Sequence, residues 1–209
     1  MDGTPIHAVF ITSMKGTIYT GETRFTSGEL VTSADTELSS LTDLRGGKNR
    51  NKALVIDSES LSTGRFNPPV VDGVRIPGCD VWLTESIRDI GDLTDAFLGN
   101  MRKLVIPTHS LGKGLSVREI NDISDSCIPM VCFADGHTLD GKDLLRDVAE
   151  AFDAGYPNVI LFDMDSTVDQ SDMQYLCGNH PGLCVLSPVK AVEHAGITFE
   201  TIGNYSISR

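Results

Sequence analysis

The chain has 209 residues, of which 40% are hydrophobic and 22% are charged, as is ordinary for one globular domain. Its formal net charge of −12 at pH 7 argues against nucleic acid and anionic membrane as partners, because both are negatively charged. No run approaches the roughly 20 apolar residues that span a bilayer, and the start, MDGTPIHAVF, lacks a signal-peptide pattern. The five cysteines form no CxxC pair, and an odd number argues against a disulfide framework. We therefore expect a single domain over residues 1–209 in a reducing cytoplasm.

Eight short apolar runs, often with β-branched residues, alternate along the chain with helical patterns. In chain order the predicted strands are HAVFITSM, KALVIDSES, DVWLTESI, KLVIPTHSL, IPMVCFADG, NVILFDMDS, GLCVLSPV and TFETIGNYSI. The clearest predicted helix lies in GKDLLRDVAEAFDAG, where Gly155 follows as a stop. Shorter helices are expected in IGDLTDAFLGN and LSVREINDISDS, and another, with a loop, between Leu30 and Gly47. The prolines between Glu59 and Cys79 disfavour a full helix there.

Strands that alternate with helices predict a parallel sheet, because each helix returns the chain to the same end of the sheet. Eight such repeats predict that the sheet closes into a (β/α)8 TIM barrel. The barrel would be a trimmed one, because the sequence ends directly after the eighth strand without an eighth helix. An open doubly wound α/β sheet is the alternative fold.

Polar side chains cluster at the predicted carboxyl ends of these strands, where proteins of both architectures place their sites. They are Asp57, Glu59, Glu85, Arg88, His109, Asp135, His137, Asp163, Asp165, Lys190 and Asn204. Because alternate residues of a strand face the same way, Asp57 shares a face with Glu59, and Asp163 with Asp165. Carboxylates and imidazoles together suit a hard metal ion or an amine-bearing substrate. The competing interpretation is that Asp57 and Asp163 accept hydrogen bonds from loop N–H groups and that the histidines are solvent-exposed.

The segment FDMDST, Phe162–Thr167, resembles the Asp-x-Asp motif of haloacid dehalogenase-like phosphatases. That resemblance implies a nucleophile at Asp163, an acid/base group at Asp165 and a Mg²⁺ ion. The chain after Asp165 lacks the acidic pair that would complete such a metal site, and Lys190 is its one plausible lysine. The segment ALVIDSES, Ala53–Ser60, also repeats the pattern of VILFDMDS, and a phosphatase site has no reason to occur twice. A phosphatase is therefore the least favoured of the candidate functions.

A half-barrel repeat, in which strands one to four match strands five to eight, resembles the histidine-biosynthesis barrels, the HisA/HisF-like family. The similar segments are ALVIDSES, VWLTESIRDIGDL, KLVIPTHSL, VILFDMDST and VFITSMKG, with Ile87, Arg88 and Thr108 at family positions. The resemblance implies a (β/α)8 barrel and an aminoaldose-to-ketose rearrangement run by a general acid and a general base. It also implies glycine-rich loops that bind two phosphates through backbone N–H groups.

The sequence departs from that family at the positions that carry its chemistry. The resemblance implies catalytic aspartates on the first and fifth strands, where this chain has Thr12 and Ala134, with Asp135 one position further on. Glu85 stands in place of a phosphate-binding glycine and would repel phosphate. Only Gly203, on the eighth strand, keeps a glycine of the family's phosphate loops. We therefore expect altered or lost ribotide isomerase chemistry.

The sequence thus predicts a diverged small-molecule enzyme of the isomerase or lyase type, with Asp57, His109 and Asp135 as candidate catalytic residues. The candidate substrate-binding residues are Glu85, Arg88, His137, Asp163, Asp165, Lys190 and Gly203. The pattern fixes no cofactor, although a divalent metal ion would suit the carboxylates. The alternative is a non-catalytic barrel that binds a ligand or a protein partner through the same strand ends. The expected partner is a small-molecule ligand, with an oligomer or a protein partner left open.

Overall fold

A computed structural model describes residues 6–41, 51–76, 78–99, 101, 103–189, 192–194 and 197–208. Its strands are β1 (Ile6–Met14), β2 (Thr17–Thr20), β3 (Thr23–Thr26), β4 (Glu29–Thr32), β5 (Thr36–Glu37), β6 (Asn51–Asp57), β7 (Cys79–Thr84), β8 (Lys103–Pro107), β9 (Cys127–Ala134), β10 (His137–Thr138), β11 (Val159–Asp163), β12 (Leu183–Leu186), β13 (Glu193–His194), β14 (Ile197–Ile202) and β15 (Tyr205–Ser208). Its α-helices are α1 (Ser58–Thr63), α2 (Pro68–Gly73), α3 (Ile90–Leu98), α4 (Val117–Ile123), α5 (Leu144–Asp153) and α6 (Gln170–Asn179). Single 3-10 turns occupy Leu38–Ser40 and Thr108–Ser110.

Eight parallel strands form the main sheet, in the order β12-β11-β9-β8-β7-β6-β1-β14. They are the eight strands that the apolar runs predict, so those predictions are confirmed. The predicted helices α3, α4 and α5 are confirmed as well, and Gly155 follows α5 with φ +99°. Among the described residues, none of the helices is long and apolar enough to cross a membrane.

The prediction of a closed (β/α)8 barrel is wrong. Within the described residues the hydrogen-bonded ladder runs from β12 at one edge to β13 at the other, and β12 does not pair with β14. One physical reason is that the short antiparallel strand β13 pairs with β14, on the side away from β1. An open α/β sheet fits instead. Its strands step in one direction from β1 to β12, so the order is not that of a doubly wound sheet.

The open sheet is strongly curved. Phe10 of β1 and Phe162 of β11 are five strands apart in the sheet, which would separate them by roughly 24 Å if the sheet were flat. Their ring centroids are nevertheless 5.9 Å apart. The concave face therefore packs against itself as one apolar cluster, to which all eight parallel strands contribute. The convex face packs against the helices, in two further apolar clusters.

A small sheet of order β15-β3-β4 packs against the concave cluster. Phe25 and Leu30 are buried in that cluster, and the Tyr205 hydroxyl donates to the Met164 carbonyl just beyond β11, at 2.9 Å. The small sheet therefore covers part of the carboxyl ends of the parallel strands. In a TIM barrel those ends line an open site, whereas here several of them lie beneath protein.

One segment differs from the predicted helices, and a second agrees with the expectation that prolines prevent a full helix. The predicted helix between Leu30 and Gly47 is wrong in the described part, which contains β4, β5 and a 3-10 turn; residues 42–47 lie outside the described residues. Exposed and buried residues alternate in β4, as suits a half-buried strand. Between β6 and β7 the chain forms two helices of six residues each, and Pro68 begins the second, where its missing N–H group costs nothing.

Candidate functional site

Asp57, at the end of β6, is fully occupied by local hydrogen bonds. One of its oxygens accepts from the backbone N–H groups of Glu59 and Ser60, at 3.0 and 3.2 Å, which caps the N-terminus of α1. Its other oxygen accepts from the side chain of Asn67 at 2.7 Å. The carboxylate is 0% exposed. Asp57 therefore fixes the start of α1 and the loop before α2.

Glu85 follows β7, beside Asp57, and is also 0% exposed. Asn67 joins the two acids, because its backbone N–H donates to Glu85 Oε2 at 3.2 Å while its side chain bonds Asp57. Burial, followed by the negative charge of Asp57, raises the pKa of Glu85 well above its usual range. Burial also raises the pKa of Asp57, but the hydrogen bonds that its carboxylate accepts oppose that rise. Of the pair, Asp57 therefore holds the charge and Glu85 holds the proton.

The end of β11 forms a second acidic group. Asp163 and Asp165 are each 5% exposed. Asp163 accepts from the backbone N–H of Thr167 at 3.0 Å. Asp165 accepts from the Thr167 hydroxyl at 2.6 Å and from the backbone N–H of Asp135 at 3.0 Å, which ties the ends of β11 and β9 together. Burial raises the pKa of Asp163 to about 6, although backbone donors oppose the rise.

His109 lies in the turn after β8 and packs against α1. Its Nε2 atom is 3.2 Å from the Leu61 carbonyl oxygen, and its buried Nδ1 atom has no partner among the described residues. Burial lowers the pKa of His109. Its neighbour Thr108 donates to buried Asp147 at 3.1 Å, and Lys142 lies 3.3 Å from the same carboxylate. The contacts among Thr108, Asp147 and Lys142 join the end of β8 to α5.

The remaining predicted residues lie apart. Asp135 and His137 are exposed, and the His137 ring is 3.0 Å from the Asp135 carbonyl oxygen. Arg88 is exposed and pairs with Asp92 at 3.2 Å, and Gly203 lies in the turn between β14 and β15 with φ +96°. Lys190 lies outside the described residues. The described hydrogen bonds do not connect Asp57, His109 and Asp135, the three predicted catalytic residues, with one another.

A metal site is not assembled from these groups. In the part of the chain that the structure describes, no group of three or more His, Cys, Asp or Glu side chains is placed to hold a metal ion. Asp57 and Asp163 direct their oxygens at backbone N–H groups. A cation bound there would have to displace those hydrogen bonds.

A cleft of about 300 Å³ lies between β4 and α1. Its lining consists of Thr12, Glu29, Leu30, Val31, Thr32, Ser58, Glu59, Ser62 and Thr63. Sequence reasoning missed most of this cleft, because it predicted a helix where β4 forms. The signal that could have found it is the run SESLST of α1, where Ser58 and Ser62 recur at the spacing of one helical face.

The cleft walls are held together by side-chain hydrogen bonds. Ser62 donates to the Leu30 carbonyl at 3.0 Å and accepts from the Leu30 backbone N–H at 2.8 Å. One turn earlier, the hydroxyls of Ser58 and Thr32 are 2.6 Å apart. α1 thus lies along the edge of β4, and the Ser62 hydroxyl takes the place of a neighbouring strand as hydrogen-bond partner of the Leu30 backbone.

Comparison with models of known protein families and with curated proteins finds no match for this chain.

Proposed function

We propose that this protein binds a polar small molecule in the cleft between β4 and α1. The observation that carries the proposal is the cleft itself, which lies beside the carboxyl ends of β1 and β6 and is lined by five hydroxyl side chains and two carboxylates. Its volume of about 300 Å³ is at the lower end of the range of about 300–1,000 Å³ for small-molecule sites. This proposal is closer to the alternative prediction of a non-catalytic, ligand-binding protein than to the prediction of an isomerase or lyase.

The cleft is supported as a site by its rigidity. Both ends of the wall between α1 and β4 are fastened, by Ser62 to Leu30 and by Ser58 to Thr32. Asp57 holds the first turn of α1 from beneath. A preformed cleft loses less conformational entropy on binding than a flexible one, which favours affinity for a small ligand.

A second candidate function is acid/base catalysis, and the Asp57–Glu85 pair favours it. A buried carboxylic acid that keeps its proton beside a carboxylate is the arrangement expected of a general acid. However, both side chains are 0% exposed, and the cleft lining as described includes neither of them. Substrate would reach Glu85 only if the loop around Asn67 moved. Ligand binding is therefore the better-supported function.

The test is a thermal-shift screen with polar molecules that fit the cleft, followed by calorimetry on each hit. A ligand of the folded state raises the melting temperature as its concentration increases. Thr63 is exposed at the end of α1 and lines the cleft, so Thr63→Trp fills it. Thr94→Trp is the matched control, because Thr94 is exposed on α3 and bonds the carbonyl four residues earlier, as Thr63 does.

We expect a hit to bind the wild type and Thr94→Trp equally, and to lose at least tenfold in affinity for Thr63→Trp. Equal binding to all three proteins, or no hit at all, would overturn the proposal. Turnover of a hit that is abolished by Glu85→Gln, with binding retained, would support the catalytic candidate instead.

A further inference from the structure

We infer that the cleft between β4 and α1 selects a polyhydroxylated small molecule that carries a positive charge, such as an amino sugar or an amino polyol. This inference rests on the proposed ligand-binding function and names its ligand class. It follows from three properties of the lining: which hydrogen-bonding capacity is left over, which charges are present, and what the apolar part of the wall offers.

Most of the hydroxyl donors in the lining are used within the protein, whereas no described hydrogen bond uses the hydroxyl of Thr12. A hydroxyl has one donor and two acceptor lone pairs. The Ser62 hydroxyl donates to the Leu30 carbonyl and the Thr63 hydroxyl donates to the Glu59 carbonyl at 2.8 Å. In the Ser58–Thr32 pair one hydroxyl must donate to the other. The free lone pairs of these oxygens then require a ligand that is rich in O–H and N–H donors.

Backbone N–H groups at the start of α1, beside the cleft, are also already hydrogen-bonded. The N–H groups of Glu59 and Ser60 are the free donors of the first turn of α1, and Asp57 accepts from both. The cleft therefore lacks the helix-terminus donors that usually hold a phosphate or a carboxylate. An anionic ligand would find few donors here.

The charges of the lining are negative. Glu29 and Glu59 are exposed carboxylates on opposite walls, one at the start of β4 and the other in the first turn of α1. Neither takes part in an ion pair among the described residues. Two carboxylates that line the same small cleft repel an anionic ligand and attract a ligand ammonium group.

The apolar part of the wall is small and fits a sugar ring. Leu30 is 2% exposed and Val31 is 60% exposed, and both line the cleft beside the hydroxyls. A cleft of about 300 Å³ lies at the small end of the range of ligand sites, which suits a molecule of monosaccharide size. A larger hydrophobic ligand would cover the remaining acceptor lone pairs and the two carboxylates without offering them donors, which costs free energy.

The test is calorimetric titration with four probes of similar size: glucosamine, glucose, N-acetylglucosamine and glucose 6-phosphate. We expect glucosamine to bind, glucose and N-acetylglucosamine to bind about five- to tenfold more weakly, and glucose 6-phosphate not to bind. Glucosamine affinity should fall as NaCl is raised from 20 to 300 mM, because salt screens the carboxylates. Equal binding of glucose and glucosamine would overturn the charge inference while leaving the proposed function intact.

Glu59→Gln and Glu29→Gln should each weaken glucosamine binding by about fivefold, and should weaken it more than they weaken glucose binding. Glu150→Gln is the matched control, because it removes one exposed carboxylate from α5, outside the cleft lining. If Glu150→Gln weakens glucosamine as much as the cleft variants do, the effect is one of net charge and the inference fails. If Thr63→Trp leaves glucosamine bound, the ligand lies elsewhere, and both the inference and the proposed function fail.

Discussion

The ends of β6 and β11 carry nearly the same sequence and form different structures. Both read apolar-Asp-x-acid-Ser, in Asp57–Ser60 and Asp163–Ser166. After β6 the chain enters α1 at once, and Asp57 caps that helix. After β11 it forms a loop, in which Asp163 accepts from a backbone N–H four residues later and Ser166 has φ +58°. The shared pattern therefore specifies a buried acceptor at the strand end, and the residues that follow decide which donors it receives.

The two ends also differ in their neighbours. Asp57 shares a hydrogen-bond donor, Asn67, with a second buried acid, Glu85. Asp163 has Asp165 nearby, but Asp165 directs its oxygens to Thr167 and to the backbone of Asp135. In both copies of the motif the carboxylates accept hydrogen bonds from nearby groups, at the start of a helix in one copy and between two strand ends in the other. The following variants test that comparison.

The largest expected effect comes from removing Asp57. Asp57→Ala removes a helix cap and leaves the Asn67 amide without its acceptor, so we expect a loss of about 4 kcal/mol in the free energy of unfolding. Asp163→Ala should cost only about 1 kcal/mol at pH 7, because Asp163 caps no helix and accepts one of the described hydrogen bonds, whereas Asp57 accepts three. Urea denaturation of both variants measures the difference. Equal losses would show that the two ends are equivalent after all.

The second effect is a pH dependence at the β6 end. The pKa of Glu85 is raised in the folded state, so the folded protein holds this proton where the unfolded chain releases it. The contribution of Glu85 to the free energy of unfolding is therefore fully present below about pH 4, and it is lost as pH rises through the pKa of Glu85 in the folded state. Glu85→Gln should be more stable than the wild type at pH 9 and should lose that advantage at pH 4. A constant difference across this range would contradict the buried proton.

A smaller pH dependence is expected at the β11 end. The pKa of Asp163 is raised to about 6 in the folded state. The ionisation of Asp163 should therefore lower the free energy of unfolding by about 2 kcal/mol as pH rises from roughly 4 to 6. Above that range, Asp163 should change the free energy of unfolding little. Asp163→Asn should make the decline in that window shallower, and the decline that remains there and at higher pH should come from Glu85. Unfolding curves of the double variant would show whether the two windows are independent.

Much of the local structure was predictable because its causes are local. All eight parallel strands and the helix from Leu144 to Asp153 follow from apolar periodicity, which is written in consecutive residues. The openness of the sheet depends on β13, two residues that carry no such signal. The missed strand β4 shows the same limit, since packing against α1 and the concave core, rather than periodicity, holds Leu30 in place.

The candidate site was only partly predictable for a related reason. The sequence placed acids at the ends of β6, β7 and β11, and the structure has them there. The sequence could not show which face of the sheet these acids lie on. Asp57 and Asp163 each follow, two residues later, a residue that faces the helix-covered side of the sheet, Val55 and Leu161. The direction of a strand-end side chain is set by which face is covered, and that is a property of the whole fold. The cleft depends on β4 and α1, which are remote enough in sequence to leave no common pattern.

The smallest expected effect isolates the backbone difference between the two ends. Ser60 and Ser166 occupy equivalent positions of the repeated pattern, but Ser60 is helical and Ser166 has φ +58°. At Ser166, Gly should be more stable than Ala by about 1 kcal/mol, because a side chain disfavours the left-handed region. At Ser60 the order should reverse by about 1 kcal/mol, because glycine weakens a helix interior.

At each site, the Gly and Ala variants lose the same hydroxyl. The Ser166 hydroxyl lies 2.9 Å from that of Ser187, and the Ser60 hydroxyl accepts from the backbone N–H of Ser86. The cost of the lost hydrogen bond therefore cancels when the two variants of one site are compared. Urea denaturation of the four variants measures the two differences. If Ala is preferred at both positions, the end of β11 adopts the helical conformation of the end of β6, and the contrast between the two strand ends is lost.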